Sequence, residues 1–207
     1  MPDRERQTPK SRRTRARILD AAMRLFAERG YHAITNADIA DAAGLTRGAM
    51  LYHFPTREVL AEAAVSHIQA ARTAMFEEAF KHRPEHGDAA DHVIDSYWTM
   101  LHELPFRAFR SLEAAARSDD ALQALLNPAL EEFDRAELHV STPGMLQAGS
   151  TPRLQTSRDL ARFALEGLAR TNLTYDADER TERLIAVIKR ATRMLNRRTA
   201  GQELWED

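Results

Sequence analysis

Twenty residues near the N-terminus constrain the fold more than any others: Thr35-Asn-Ala-Asp-Ile-Ala-Asp-Ala-Ala-Gly-Leu-Thr-Arg-Gly-Ala-Met-Leu-Tyr-His-Phe54. Thr35 or Asn36 can cap a helix running through Ala42, and Thr46 can cap a second one running to about Phe54. Gly44 breaks the chain between them and Pro55 stops the second. Ile39, Ala40, Ala43, Leu45 and Met50 then form a small internal core. Two short helices joined by a tight turn have the spacing of a helix-turn-helix. Its second helix would lie in the major groove of DNA, with its first residues against base edges.

The flanking sequence is helical too. Ile18, Ala21, Ala22, Leu25 and Phe26 share one face of a helix from Arg13 to Arg29, with Gly30 at its C-cap. Thr56 can cap a long helix from Arg57 to about Lys81. Pro84 and Gly87 mark a linker over 81–88. Helices are expected at about 88–103, 106–117, 120–139, 157–173 and 178–198, and a loop at 141–156. Pro128 either starts a new helix capped by Asn127 or kinks the one it sits in. Residues 1–10 read as disordered. No strand or repeat stands out. The expected class is all-α: a basic arm over 1–12, a three-helix DNA-binding domain over 13–55, and a helical domain over 56–207.

Charge distribution points the same way. Residues 1–60 hold 11 Lys/Arg against 7 Asp/Glu, whereas the remainder holds 18 against 24. Arg4, Arg6, Lys10, Arg12, Arg13, Arg15 and Arg17 oppose only Asp3 and Glu5 at the start. Such an arm is either a solubilising tail or a partner for a polyanion, whose counterions it would release. Arg47 has the reach for a bidentate contact to guanine, worth about 1–3 kcal/mol of discrimination. Gly48 and Ala49 would let the helix sit deep in the groove. Tyr52, His53 and Arg57 fall where phosphates could be held, beside the helix N-terminus that follows Pro55.

These residues carry a family resemblance. From about Thr14 to Val59 the chain resembles the DNA-binding domain of the TetR family of transcriptional regulators. The matching elements are Ile18-Leu-Asp-Ala-Ala, Leu25-Phe26, Gly30-Tyr31, Thr35, Ile39-Ala40, Ala43-Gly44-Leu45-Thr46, Arg47-Gly48-Ala49, His53-Phe54 and Arg57-Glu58. The resemblance implies a homodimer on a palindromic operator in double-stranded DNA. It implies a larger C-terminal domain that binds a small effector and thereby releases DNA. Carried over by position, the DNA contacts are Thr35, Asn36, Thr46, Arg47, Gly48, Tyr52, His53 and Arg57. Leu51 stands where many members have Tyr. Tyr52 then either takes over that phosphate contact or packs on a thymine methyl.

Apolar stripes suggest where the rest would act. Leu160, Phe163, Ala164, Gly167 and Leu168 form one; Leu184, Ile185, Val187, Ile188, Ala191 and Leu195 form another. Spacing alone fits core or interface; the resemblance favours a homodimer through residues 157–198. Aromatic residues beside polar ones are the candidates for an effector pocket: Tyr97, Trp98, His102, Phe106, Phe109, Glu113 and Phe133, with Met100, Leu101, Met145 and Phe163 as apolar neighbours. The effector would be apolar or aromatic. The alternative is a DNA-binding dimer whose C-terminal domain has no small-molecule ligand.

Other classes find less support. No cysteine is present, so disulfides and thiolate catalysis are excluded and a cytoplasmic setting is permitted. No apolar run approaches 18 residues, and no secretory signal is visible, so no membrane partner is expected. No phosphate-binding glycine loop, nucleophile elbow or zinc-protease motif occurs, so neither an enzyme nor a cofactor is expected. His82, Glu85, His86 and His92 surround a proline-containing linker without a fixed helical frame, and no metal site is expected there.

Overall fold

The computed structural model describes residues 8–81, 88–145, 152–171 and 173–196. Among them are nine helices and no strand: α1 (Pro9–Arg29), α2 (Asn36–Ala42), α3 (Arg47–His53), α4 (Arg57–Lys81), α5 (Ala89–Met100), α6 (Leu104–Ala116), α7 (Asp120–Met145), α8 (Pro152–Arg170) and α9 (Ala177–Asn196). The all-α class and the N-terminal helix-turn-helix are as expected from the sequence.

Several boundaries differ from expectation, and proline explains some of them. A proline in the first turn of a helix removes an N–H that would lack a partner anyway. Thr8 caps α1 by accepting a hydrogen bond from the Ser11 N–H at 3.2 Å, and Pro9 opens the helix. Lys10 and Arg12 of the expected disordered arm are therefore helical, while residues 1–7 lie outside the described residues. Pro105 sits in the first turn of α6, and α8 opens on Pro152, not at residue 157. Pro128 starts no new helix, because α7 runs through it. The Asn127 side chain accepts a hydrogen bond from Gln123 at 2.7 Å, so it serves the preceding turn and caps nothing. Of the expected 141–156 loop, α7 and α8 take up both ends, and 146–151 lies outside the described residues.

The chain divides into two compact units. The first is Met1–Ala74 with Glu103–Arg135; the second is Met75–His102 with Ala136–Asp207. In the first, α1 buries Ile18, Ala21, Ala22, Leu25 and Phe26, the stripe expected from its spacing. Ile39 and Ala40 of α2, Met50 of α3, and Phe54 join the same core, with Leu60, Ala64 and Ile68 of α4 and Phe109 and Leu112 of α6. In the second, α5, α8 and α9 are tied by polar contacts. Lys189 and Arg193 of α9 each reach a carboxylate of α5, Asp95 and Asp91, at 2.6 Å. The Tyr97 hydroxyl donates to Glu166 of α8 at 2.8 Å.

Seven-residue helices are too short to persist alone, so α2 and α3 depend on their caps and packing. At α2 the capping is reciprocal. The Thr35 hydroxyl accepts from the Asp38 N–H at 3.2 Å, and the Asp38 carboxylate accepts from the Thr35 N–H at 2.8 Å and its hydroxyl at 2.6 Å. Between the helices Gly44 takes φ +64°, and its N–H donates to the Asp41 carbonyl at 2.9 Å. The next N–H, of Leu45, closes onto the Ala40 carbonyl at 2.9 Å.

Two predictions follow from this geometry. Gly44→Ala forces an L side chain into the left-handed region, where the cost is about 1–2 kcal/mol. A urea-unfolding midpoint that does not fall would show the turn to be unstrained by a Cβ. The second concerns pH. The Thr35 hydroxyl, then the Thr35 N–H, hold the Asp38 carboxyl below its ordinary value. A depressed folded-state pKa means that the contribution is fully present above the unfolded value of about 3.9, and is lost as pH falls through the folded one. Urea midpoints of the parent chain and Asp38→Asn should therefore differ at neutral pH and converge in acid below about pH 4; a constant gap would exclude the carboxylate as cause.

Candidate nucleic-acid interface

The short helices present one face outward. Met50 and Phe54 are buried and root α3 in the core, while Thr46, Arg47, Gly48, Leu51 and Tyr52 are exposed. Tyr52 keeps 82% of its full accessibility. A Cβ built at Gly48 would meet nothing within 4 Å, so this glycine is not required by packing inside the chain. Positions 47, 48, 51 and 52 follow the helical repeat, so the exposed residues form one stripe.

Capping divides the two threonines. The Thr46 hydroxyl accepts from the Ala49 N–H at 3.2 Å, which uses a lone pair and leaves its proton to be donated elsewhere. The Thr35 hydroxyl both accepts from and donates to Asp38, so its proton is already engaged. Asn36 begins α2, with its Oδ1 buried and making no hydrogen bond.

The arginines turn out to hold the scaffold. Arg57 of α4 donates to the carbonyls of Ile34 at 2.7 Å and Tyr31 at 2.9 Å, with its guanidinium 4.6 Å from the Tyr31 ring centroid. Arg15 of α1 donates to the His53 carbonyl at 2.7 Å and lies over the Phe54 ring at 4.2 Å. Arg17 donates to the Ala43 carbonyl. Thus α1 supplies a cation to the C-terminal end of both α2 and α3, where free carbonyls and the helix dipole favour positive charge. Counting basic residues could not reveal this, because it is a matter of direction. Lys10, Arg12 and Arg13 remain exposed on the first turns of α1.

His53 is half-buried and packs edge-on to the Tyr52 ring at 5.2 Å. Burial, and then the charge of Arg15, hold its imidazole below the usual histidine range. A lowered value favours the neutral ring, which can take part in a hydrogen bond as donor or acceptor.

The expected effector residues fall into both units. Phe106, Phe109 and Phe133, in the first, surround a residue that periodicity had not singled out. The guanidinium of Arg72 lies 5.1, 3.8 and 4.0 Å from their ring centroids, and the residue is only 4% exposed. Its Nη1 donates to Gln69 at 3.1 Å. The available signal was position: Arg72 lies one helical turn from both Ile68 and Phe76 on the buried stripe of α4. Glu113 is half-buried on α6. In the second unit Tyr97 is buried, Trp98 is half-buried, and His102 is exposed. The His102 ring lies 4.5 Å from that of Trp98, with Nδ1 2.9 Å from the Trp98 carbonyl.

The apolar faces of α8 and α9 are partly outward. Leu160, Phe163, Ala164 and Gly167 of α8 are exposed, as are Leu184, Val187, Ala191 and Met194 of α9. Leu168, Ile185, Ile188 and Leu195 are half-buried. His92 lies 3.3 Å from the Ala79 carbonyl, whereas His82, Glu85 and His86, and the side chain of Met145, lie outside the described residues. No group of metal-binding side chains occurs among the described residues.

Comparison with known proteins gives this geometry a context. Residues 18–64 match the profile of the bacterial regulatory proteins of the tetR family. The HTH-type transcriptional regulator TtgR of Pseudomonas putida is 45% identical over 58 residues, which are 28% of this chain and 28% of TtgR. The match to that relative thus spans little more than a quarter of its length. Over nearly the whole chain the likeness is one of fold. Salmonella enterica GusR superposes with a TM-score of 0.66 at 18% identity, covering 92% of this chain and 98% of GusR. The multidrug binding protein EbrR, in complex with imidazole, superposes with a TM-score of 0.56 at 20% identity, covering 86% of this chain and 93% of EbrR. Residues 18–64, which hold the helix-turn-helix, are thus similar to the DNA-binding segment of the tetR family of bacterial regulatory proteins, and the fold of the chain as a whole is similar to that of GusR.

Proposed function

We propose that this chain is a repressor that binds a palindromic operator as a homodimer and is released by a small apolar or aromatic effector. The observation that carries the DNA reading is the outward stripe of α3. A cation, a glycine without internal packing duty and an exposed tyrosine share a face that the core has no use for. In this reading α3 enters the major groove, Arg47 takes a guanine, and Thr46 donates its free hydroxyl proton. Tyr52 and His53 meet backbone or thymine methyl. Arg57 contributes by holding the turn before α2, and Lys10, Arg12 and Arg13 add phosphate charge. Residues 13–55 form the reading domain, and 56–207 supply effector and dimer contacts. The protein would act in the cytoplasm, as a binding protein and not an enzyme; among the described residues no helix is long and apolar enough to cross a membrane.

The exposed apolar residues of α8 and α9 support the dimer. Leu160, Phe163, Val187 and Met194 are each more than half exposed, and an open Gly167 allows close helix approach. The EbrR–imidazole complex supports a ligand-binding role by likeness of fold. One observation favours the second reading, a dimer without an effector. Arg72 already occupies the space among Phe106, Phe109 and Phe133, where an aromatic ligand would otherwise stack.

Selection of bound DNA from a random pool tests the proposal. The expected product is a sequence with two-fold symmetry. On that sequence Arg47→Ala should weaken binding by about 1–3 kcal/mol and relax one position in each half-site. Equal loss on selected and random DNA would reduce Arg47 to a phosphate contact, and an asymmetric or absent consensus would contradict the dimeric reader.

A further inference from the structure

We infer that Ser111, on α6, is a positioning residue for DNA recognition, acting through the turn that delivers α2. This rests on the reading-head proposal and adds a residue remote from the exposed stripe of α3. The turn from Gly30 to Ile34 joins α1 to α2 and is held from two sides. From α4, Arg57 takes the Tyr31 and Ile34 carbonyls at 2.9 and 2.7 Å. From α6, the Ser111 hydroxyl oxygen accepts the Tyr31 N–H at 3.1 Å. Tyr31 is therefore gripped at its N–H by one helix and at its carbonyl by another.

The surroundings leave the turn little freedom to compensate. Tyr31 is 7% exposed, and its ring packs edge-on to that of Phe26 at 5.2 Å. Gly30 has φ +88°, and a Cβ there would come within 4.0 Å of the Ser111 oxygen. His32 adds a longer contact to α6, its Nε2 lying 3.4 Å from the Ala115 carbonyl. Thr35, the cap of α2, follows Ile34 directly. Losing the hydroxyl leaves the part-buried Tyr31 N–H without its acceptor, and the turn must shift to satisfy it. Because α2 packs on α3, such a shift moves the reading stripe relative to α1. Specific contacts demand placement within fractions of an ångström, whereas phosphate contacts tolerate more.

The test compares full-length parent chain, Ser111→Ala and Ser111→Thr on the sequence selected by the parent and on random DNA of equal length. Ser111→Ala should lower the ratio of selected to random affinity about 3- to 10-fold, mostly on the selected side. Ser111→Thr keeps the hydroxyl and should retain the ratio within about 2-fold. Thermal midpoints are measured alongside, because a purely structural role would lower stability in Ser111→Ala and leave the ratio of the folded protein unchanged. That result, or a Ser111→Thr ratio as low as that of alanine, would overturn the inference. A parent chain with no sequence preference would defeat the DNA reading itself, and this inference with it.

Discussion

Two seven-residue helices expose more backbone ends than they can satisfy, and the N-terminal architecture answers that constraint. Each end of α2 and α3 carries carbonyls or N–H groups without an intrahelical partner. Thr35 with Asp38, and Thr46, serve the N-terminal ends. Arg17 and Arg15 reach from α1 to Ala43 and His53 at the C-terminal ends. Arg57 reaches from α4 to the turn before α2. Without these ties the pair would rest on a small apolar contact around Ile39, Ala40 and Met50. With them, α2 and α3 are fixed to longer helices on both sides, and their outer face is available to a partner.

That division of labour sharpens the electrostatics. Three arginines that appear in the sequence as surface charge hold backbone carbonyls inside the first unit. Among the described residues, Lys10, Arg12 and Arg13 at the start of α1 and Arg47 on α3 stay exposed. On the proposed reading, Arg47 takes a base edge while the cations of α1 meet phosphate.

Much of this was legible from the chain alone. Gly44, with threonines nine residues before and two after, states the helix-turn-helix, and the stripe of α1 appears with its residues as spaced. Cap residues and breakers are local signals, which is why they can be read directly. The destinations of Arg15, Arg17 and Arg57 were not legible, since a long side chain at a given position can turn to solvent or back to a carbonyl. Arg72 was missed for a related reason: a charged residue on an apolar stripe reads as an interruption, although three aromatic faces can hold it. Pro9, Pro105 and Pro152 misplaced the helix starts because proline marks a break in a helix interior and a beginning in its first turn.

The central claim is that the exposed stripe of α3 reads bases in the major groove. Guanine N7 methylation interference on the selected sequence tests it most directly, because N7 is open only from that groove. The account predicts interference at one guanine in each half-site with the parent chain, and loss of that interference at the same guanine with Arg47→Ala. Identical interference with both proteins, or none at any guanine that the selection requires, would contradict it.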